Sequence, residues 1–125
     1  MAVDVNAVLQ SSVTKTGSFN GAGFDLKTGT PRRGLKAVVR YSAAQNASGS
    51  NTATFSVEHS DDNNTFYALA SGAADVVTLS TTAQAGEVHI GFETSKRYVR
   101  LVLTIAGAGS TPTITYEAYL ELGRP

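Results

Sequence analysis

The chain has 125 residues, with ten Lys+Arg, ten Asp+Glu and no cysteine, so its formal charge is zero. That balance excludes the positive field with which a protein tracks a phosphate backbone, and the missing thiols exclude disulfides, thiolate chemistry and Cys-ligated zinc. At this length one core buries roughly two thirds of the unfolded surface. A charged fraction of only 16%, with Thr, Ser, Gly, Val and Ala abundant, favours strands and tight turns over helices.

The opening "MAVDVNAVLQSSVTK" has no basic stretch leading into a long apolar run. Nowhere do about 18 apolar residues follow one another, so neither a secretion address nor a membrane span is expected. Residues 1–34 alternate poorly and carry two Gly-containing turns in "TGSFNGAG" and a basic "TPRRG". Two readings stay open for this segment. It is either an arm that contacts a neighbour through Phe19, Phe24, Arg32 and Arg33, or a meandering first pair of strands whose phenylalanines pack on the core. Residues 35–125 read as the core of a β-sandwich, and the whole chain as a single domain.

Period-two alternation marks the strands that follow. "LKAVVRYSA" sends Leu35, Ala37, Val39 and Tyr41 one way and Lys36, Arg40 and Ser42 the other; Ala53, Phe55 and Val57 oppose Thr54, Ser56 and Glu58. Shorter strands fit "GFDL", "FYALA" and "VVTLS". Val88, Ile90 and Phe92 then share a side against Glu87, His89 and Glu93, as do Val99, Leu101, Leu103 and Ile105 against Arg100 and Thr104. The last strand turns Ile114, Tyr116, Ala118, Leu120 and Leu122 inward and Thr115, Glu117, Tyr119 and Glu121 outward. Turn signals fall between them at "NASGSN", "DDNN", "SGAAD", "AQAG" and "AGAGSTP". The expected fold is all-β: an antiparallel two-sheet sandwich, jelly-roll-like, of about eight strands.

"HSDDNNTF" at 59–66 groups the side chains a metal site would use. Calcium, however, needs six to eight converging oxygens, and four consecutive residues cannot all point inward. Asp and Asn tolerate left-handed φ and bond their own backbone, so this stretch reads as a corner. His59, in phase with Phe55 and Val57, closes the core edge, and His89 faces outward without a second histidine at ligand spacing. No nucleophile elbow, HExxH, phosphate-cradling loop or dinucleotide fingerprint is present. Neither catalysis nor a cofactor or metal is expected. "KRYVR" places Tyr98 and Arg100 on an outward face, and Tyr119 stands outward beside Glu117 and Glu121. Each of these is either solvated surface or part of a protein interface.

Two stretches in this order, "FSVEHSDDNNTFYAL" and "FETSKRYVRLVLTIAG", resemble the small jelly-roll cement or decoration proteins of tailed bacteriophage capsids. The resemblance covers residues 52–123 loosely. It implies a virion structural protein, made in the host cytoplasm, that binds the outer capsid surface between major capsid protein subunits and stabilises the shell. Self-association is implied as well, as a homotrimer first and a dimer next, with no nucleic-acid or membrane partner. The same motifs resemble discoidin-like carbohydrate-binding jelly rolls, although Asn63 stands where those carry glycine and Phe66 where they carry tryptophan. A carbohydrate-binding module, or a phage head-fibre or tail module, is therefore the alternative. The absence of tryptophan favours the virion.

Overall fold

The computed structural model describes residues 7–27, 32–69 and 74–121, with the backbone alone at Arg32 and Arg33. Ten strands make up the fold: β1 (Val8–Lys15), β2 (Phe19–Asn20), β3 (Phe24–Asp25), β4 (Arg32–Gln45), β5 (Asn51–Ser60), β6 (Tyr67–Ala68), β7 (Ala74–Leu79), β8 (Gln84–Thr94), β9 (Tyr98–Gly107) and β10 (Thr113–Glu121). A four-stranded sheet has the order β1-β10-β4-β8. In the six-stranded sheet, β9 and β5 lie side by side at the centre, β2 and β3 follow one another along β9, and β6 and β7 follow one another along β5. Every pairing is antiparallel, and the two sheets form a jelly-roll sandwich. Since β2 with β3, and β6 with β7, each trace one broken strand along a single neighbour, eight strand positions result.

The alternation read from the sequence is what fills the space between the sheets. Phe55 and Val57 of β5 and Val99, Leu101 and Leu103 of β9 face Leu35, Ala37 and Val39 of β4, Ile90 of β8, and Ile114, Tyr116 and Leu120 of β10, all buried. The rings of Phe55 and Tyr116 meet edge to face at the centre, 5.0 Å apart and inclined by 67°, the arrangement the ring quadrupoles favour. Burial pushes the Tyr116 phenol up to about 12.

Residues 7–27, within the segment for which arm and strand readings stood open, pair with strands of this chain. β1 lies against β10 with register shifts after Val8 and Gln10, which is why its alternation is broken. Ala7, Leu9 and Leu26 belong to the core. "AQAG" is not a turn, as the sequence suggested: β8 begins at Gln84, and Gly86 pairs with Tyr41. A Cβ on Gly86 would stand 2.7 Å from the Tyr41 hydroxyl, so this glycine makes room for a cross-strand ring rather than for a bend. Leu122 and most of the "SGAAD" turn lie outside the described residues.

Candidate functional site

The 59–66 stretch is a corner held by its own side chains. The Ser60 hydroxyl accepts from the backbone N–H groups of Asp62 and Asn63 and donates to Asp62 Oδ1, which itself accepts from the N–H groups of Asn64 and Thr65. Those donors hold the Asp62 carboxyl below the usual range, the Thr65 N–H foremost. Asn63 takes φ 58°, a left-handed conformation that asparagine tolerates. The segment before β3 seats against this corner, since a side chain at Gly23 would run into Asn63 and Phe66. His59 Nδ1 hydrogen-bonds Thr94 Oγ1 at 2.8 Å, tying β5 to β8 across the sandwich. Burial, then the nearby Lys96 ammonium, lowers the His59 pKa. Among the described residues no group of three or more His, Cys, Asp or Glu could hold a metal.

Beside this corner, the outward face of the six-stranded sheet carries a cluster of cations laid on rings. Arg100 donates Nε and Nη2 to Glu58 Oε1 at 2.9 and 2.6 Å, from the neighbouring strand, and its guanidinium lies 4.2 Å from the Phe66 ring centroid. Arg97 forks onto Asp25 at 2.8 and 2.9 Å and lies over Tyr98 at 5.3 Å. That fork, before all else, holds the Asp25 carboxyl down to about 2 and raises the guanidinium in turn. At the far edge of this sheet and not on its outward face, Lys15 of β1 in the four-stranded sheet stands 3.8 Å over the ring of Phe19, whose ladder partner is the core residue Leu103. Beyond the Arg100 cluster this face loses its charge. Thr52, Thr54 and Ser56 of β5, Ala74, Val76 and Thr78 of β7, and Val102, Thr104 and Ala106 of β9 share one side of the sheet.

The outward face of the four-stranded sheet carries a network of charges across β10, β4 and β8. Arg40 contacts Glu87 at 3.2 Å, Glu87 also binds His89, and Lys36 lies 3.7 Å from the buried Glu121. The Tyr119 hydroxyl donates to Glu117 at 3.1 Å, and the bond and charge of that carboxylate raise its pKa. Val38, flanked by Tyr119 on β10 and His89 on β8, is buried beneath this network although it points away from the core.

The residues singled out from the sequence therefore do not form one surface. Tyr98 and Arg100 lie on the outward face of the six-stranded sheet, whereas Tyr119 lies on the opposite side of the sandwich. Phe19 is half-buried at the β2 edge, and Phe24 of β3 packs partly against the core. The side chains of Arg32 and Arg33 lie outside the described residues. Sequence reasoning missed the capping of Phe66 by Arg100. Glu58 and Arg100 could be aligned by pairing the two strongest strands, but the placement of Phe66 depends on a corner whose path no alternation encodes.

No family model matches the chain, and no curated protein does. Solved structures share its fold. The chain is similar to the CBM22-1 xylan-binding domain from Paenibacillus barcinonensis Xyn10C, with a TM-score of 0.54 at 10% identity over 99% of this chain and 97% of that one. It is also similar to the PBSX exported protein XepA, with a TM-score of 0.49 at 18% identity over 94% of this chain, which spans only 37% of that protein. A third, TmCBM61 in complex with beta-1,4-galactotriose, gives a TM-score of 0.45 at 11% identity, covering 97% of this chain and 86% of that one. At such identities the likeness is one of fold: a two-sheet antiparallel jelly roll.

Proposed function

We propose that this chain is a virion structural protein, a decoration protein that seats on the outer surface of an assembled capsid between neighbouring major capsid subunits and holds them together. The observation that favours it is the state of the surface rings. Phe66, Tyr98, Phe19 and Tyr119 each carry a cation, from Arg100, Arg97, Lys15 and Arg40 in turn. A sugar ring stacks on an open aromatic face, and these four faces are engaged, although Tyr67, next to Phe66 in the chain, is 58% exposed; arginine with tyrosine is the pairing that protein interfaces recruit. The "SDDNNTF" corner and the "RYVRL" strand, on which the resemblance to capsid decoration proteins rests, both border the Arg100 cluster. A protein that binds the assembled shell and not its free subunits stabilises the shell by mass action, and many copies multiply a small gain.

Polysaccharide binding is the second reading, favoured by the fold likeness to a xylan-binding domain over nearly the whole of both chains. One experiment separates the two. Purified protein is mixed with capsid shells lacking it and, in parallel, with a glycan array that includes xylan. Co-sedimentation with shells, a raised shell melting temperature and a silent array are expected. Glycan binding without shell binding would overturn the decoration role.

A further inference from the structure

Asn20 is the one asparagine in the sequence that glycine follows, and no aspartate precedes a glycine. It ends β2, exposed and paired with Val102 of β9. The backbone nitrogen of the next residue can attack an asparagine side chain, and glycine, without a Cβ, is the neighbour that lets the two approach. We propose that Asn20–Gly21 is a self-modification site at which the chain removes its own side-chain amide, and that the docking of β2 on β9 is the gate.

Water is the only co-reactant of the step. The Gly21 nitrogen gives up its proton and bonds to Asn20 Cγ, the Cγ–Nδ2 bond breaks, and ammonia leaves carrying that proton. Water then opens the cyclic imide at either carbonyl. One product is aspartate, and the other is isoaspartate, in which the side-chain carbon has entered the main chain.

The docked strand holds the reacting groups apart. The Gly21 N–H donates to the Leu101 carbonyl at 2.8 Å, so the attacking nitrogen is engaged toward β9, while the Asn20 side chain stands off the sheet. Cyclisation has to break that bond and turn Asn20 out of its extended conformation. β2 is only two residues long and lies at the sheet edge, held at its start by Ser18, whose hydroxyl accepts from the Ile105 N–H at 3.0 Å. A short edge segment of this kind opens at far lower cost than the whole fold. After Asn46, Asn63 and Asn64 the nitrogens in the attacking position belong to Ala47, Asn64 and Thr65, which carry side chains and whose N–H groups are bonded to the Ser110 carbonyl and to Asp62 Oδ1.

The product has no room to dock again. A Cβ on Gly21 would stand 2.9 Å from both Gln10 Oε1 and the Leu101 carbonyl oxygen. Isoaspartate adds one main-chain atom immediately before this close approach and replaces a neutral amide by a carboxylate. Conversion is therefore a one-way record of β2 having opened. The inference is independent of the decoration role and of polysaccharide binding.

The test incubates the full chain at about pH 8.5 and about 37 °C, folded and in urea, and follows residues 16–27 by peptide mapping. The expected result is a gain of about 1 Da at Asn20, with isoaspartate recovered beside aspartate. Conversion should be at least about tenfold faster in urea than in the folded protein, because folding withholds the open strand. Ser18→Ala removes a bond that holds β2 and touches neither reacting group; it should raise the folded rate about fivefold at a near-parent melting temperature. The converted fraction, separated by anion exchange on its added negative charge, should exchange backbone hydrogens across residues 16–27 faster than the parent. No conversion at Asn20 in urea, a folded rate equal to that in urea, an unchanged rate in folded Ser18→Ala, or unchanged hydrogen exchange in the converted fraction overturns it.

Discussion

The two outward faces of this sandwich are built on similar antiparallel ladders and solve the problem of exposure in opposite ways. On the four-stranded sheet, Lys36, Arg40, Glu87, His89, Glu117, Tyr119 and Glu121 bond to one another laterally, closely enough that Val38 beneath them is buried. On the six-stranded sheet the charges withdraw to one end, around Arg100 and Arg97, and leave threonine, valine and alanine across the rest. The first face ties its described charges to one another, and the second presents β-branched methyls and hydroxyls.

The largest break removes what the two faces share. Phe55→Ala deletes the ring that meets Tyr116 between the sheets, and a core truncation of this kind costs about 3–5 kcal/mol. Urea denaturation should show one cooperative transition at a lower midpoint. Two separated transitions would mean that the sheets are independent units.

A smaller effect distinguishes the two sides of β10, which carries Tyr116 inward and Tyr119 outward, each with a raised pKa. Burial holds Tyr116 at about 12 against 10.0 for the free phenol. Above pH 10 the unfolded chain therefore binds fewer protons than the native one, and stability present at neutral pH falls as pH rises toward 12, by about 2–3 kcal/mol for this group. Tyr116→Phe should flatten that loss in denaturation curves taken across the range. Glu117→Gln should lower the Tyr119 titration seen by ultraviolet absorbance and leave Tyr116 where it is, because the neighbouring carboxylate, not burial, raises the outward phenol.

Replacing a polar side chain by an apolar one on each face sharpens the contrast further. Lys36→Met leaves Glu121, only 6% exposed at its side chain, without its countercharge and should cost about 1–3 kcal/mol. Thr54→Val, in the middle of the uncharged block, should change stability by less than about 0.5 kcal/mol. Thermal unfolding of the pair reads both.

Much of this was legible in the sequence. Alternation in 53–58, 87–93, 98–105 and 114–121 gave the facing of β5, β8, β9 and β10, since a half-buried strand obeys period two, although Val102 and Glu121, on outward sides, are buried as well. Residues 8–25 gave little, because the register shifts of β1 and the break between β2 and β3 at Gly21 disturb that period. Gly21 itself is fixed by close approach, as a Cβ there would stand 2.9 Å from the Leu101 carbonyl. The corner at 59–66 was recognisable from its turn chemistry. The difference between the two outward faces was not, since it depends on which strands become neighbours, and the order β1-β10-β4-β8 joins residues from 40 (Ala44 with Gln84) to 111 (Val8 with Tyr119) positions apart.

The smallest effect on stability concerns the edge that borders the uncharged face. The Asp75 carboxylate caps the Val76 N–H, and Gln84 reaches from β8 to the Thr78 carbonyl. Both bonds are exposed, so Asp75→Ala with Gln84→Ala should cost no more than about 1 kcal/mol. Their consequence lies in what the edge then presents: an uncapped donor and acceptor on a strand reading "ADVVTL", next to a face that carries no charge to repel an incoming chain. The double variant should therefore keep a near-parent melting temperature while light scattering rises with time and concentration. If the double variant stays as soluble as the parent, charge withdrawal from the six-stranded sheet is tolerated without edge protection, and capping by Asp75 and Gln84 is incidental to it.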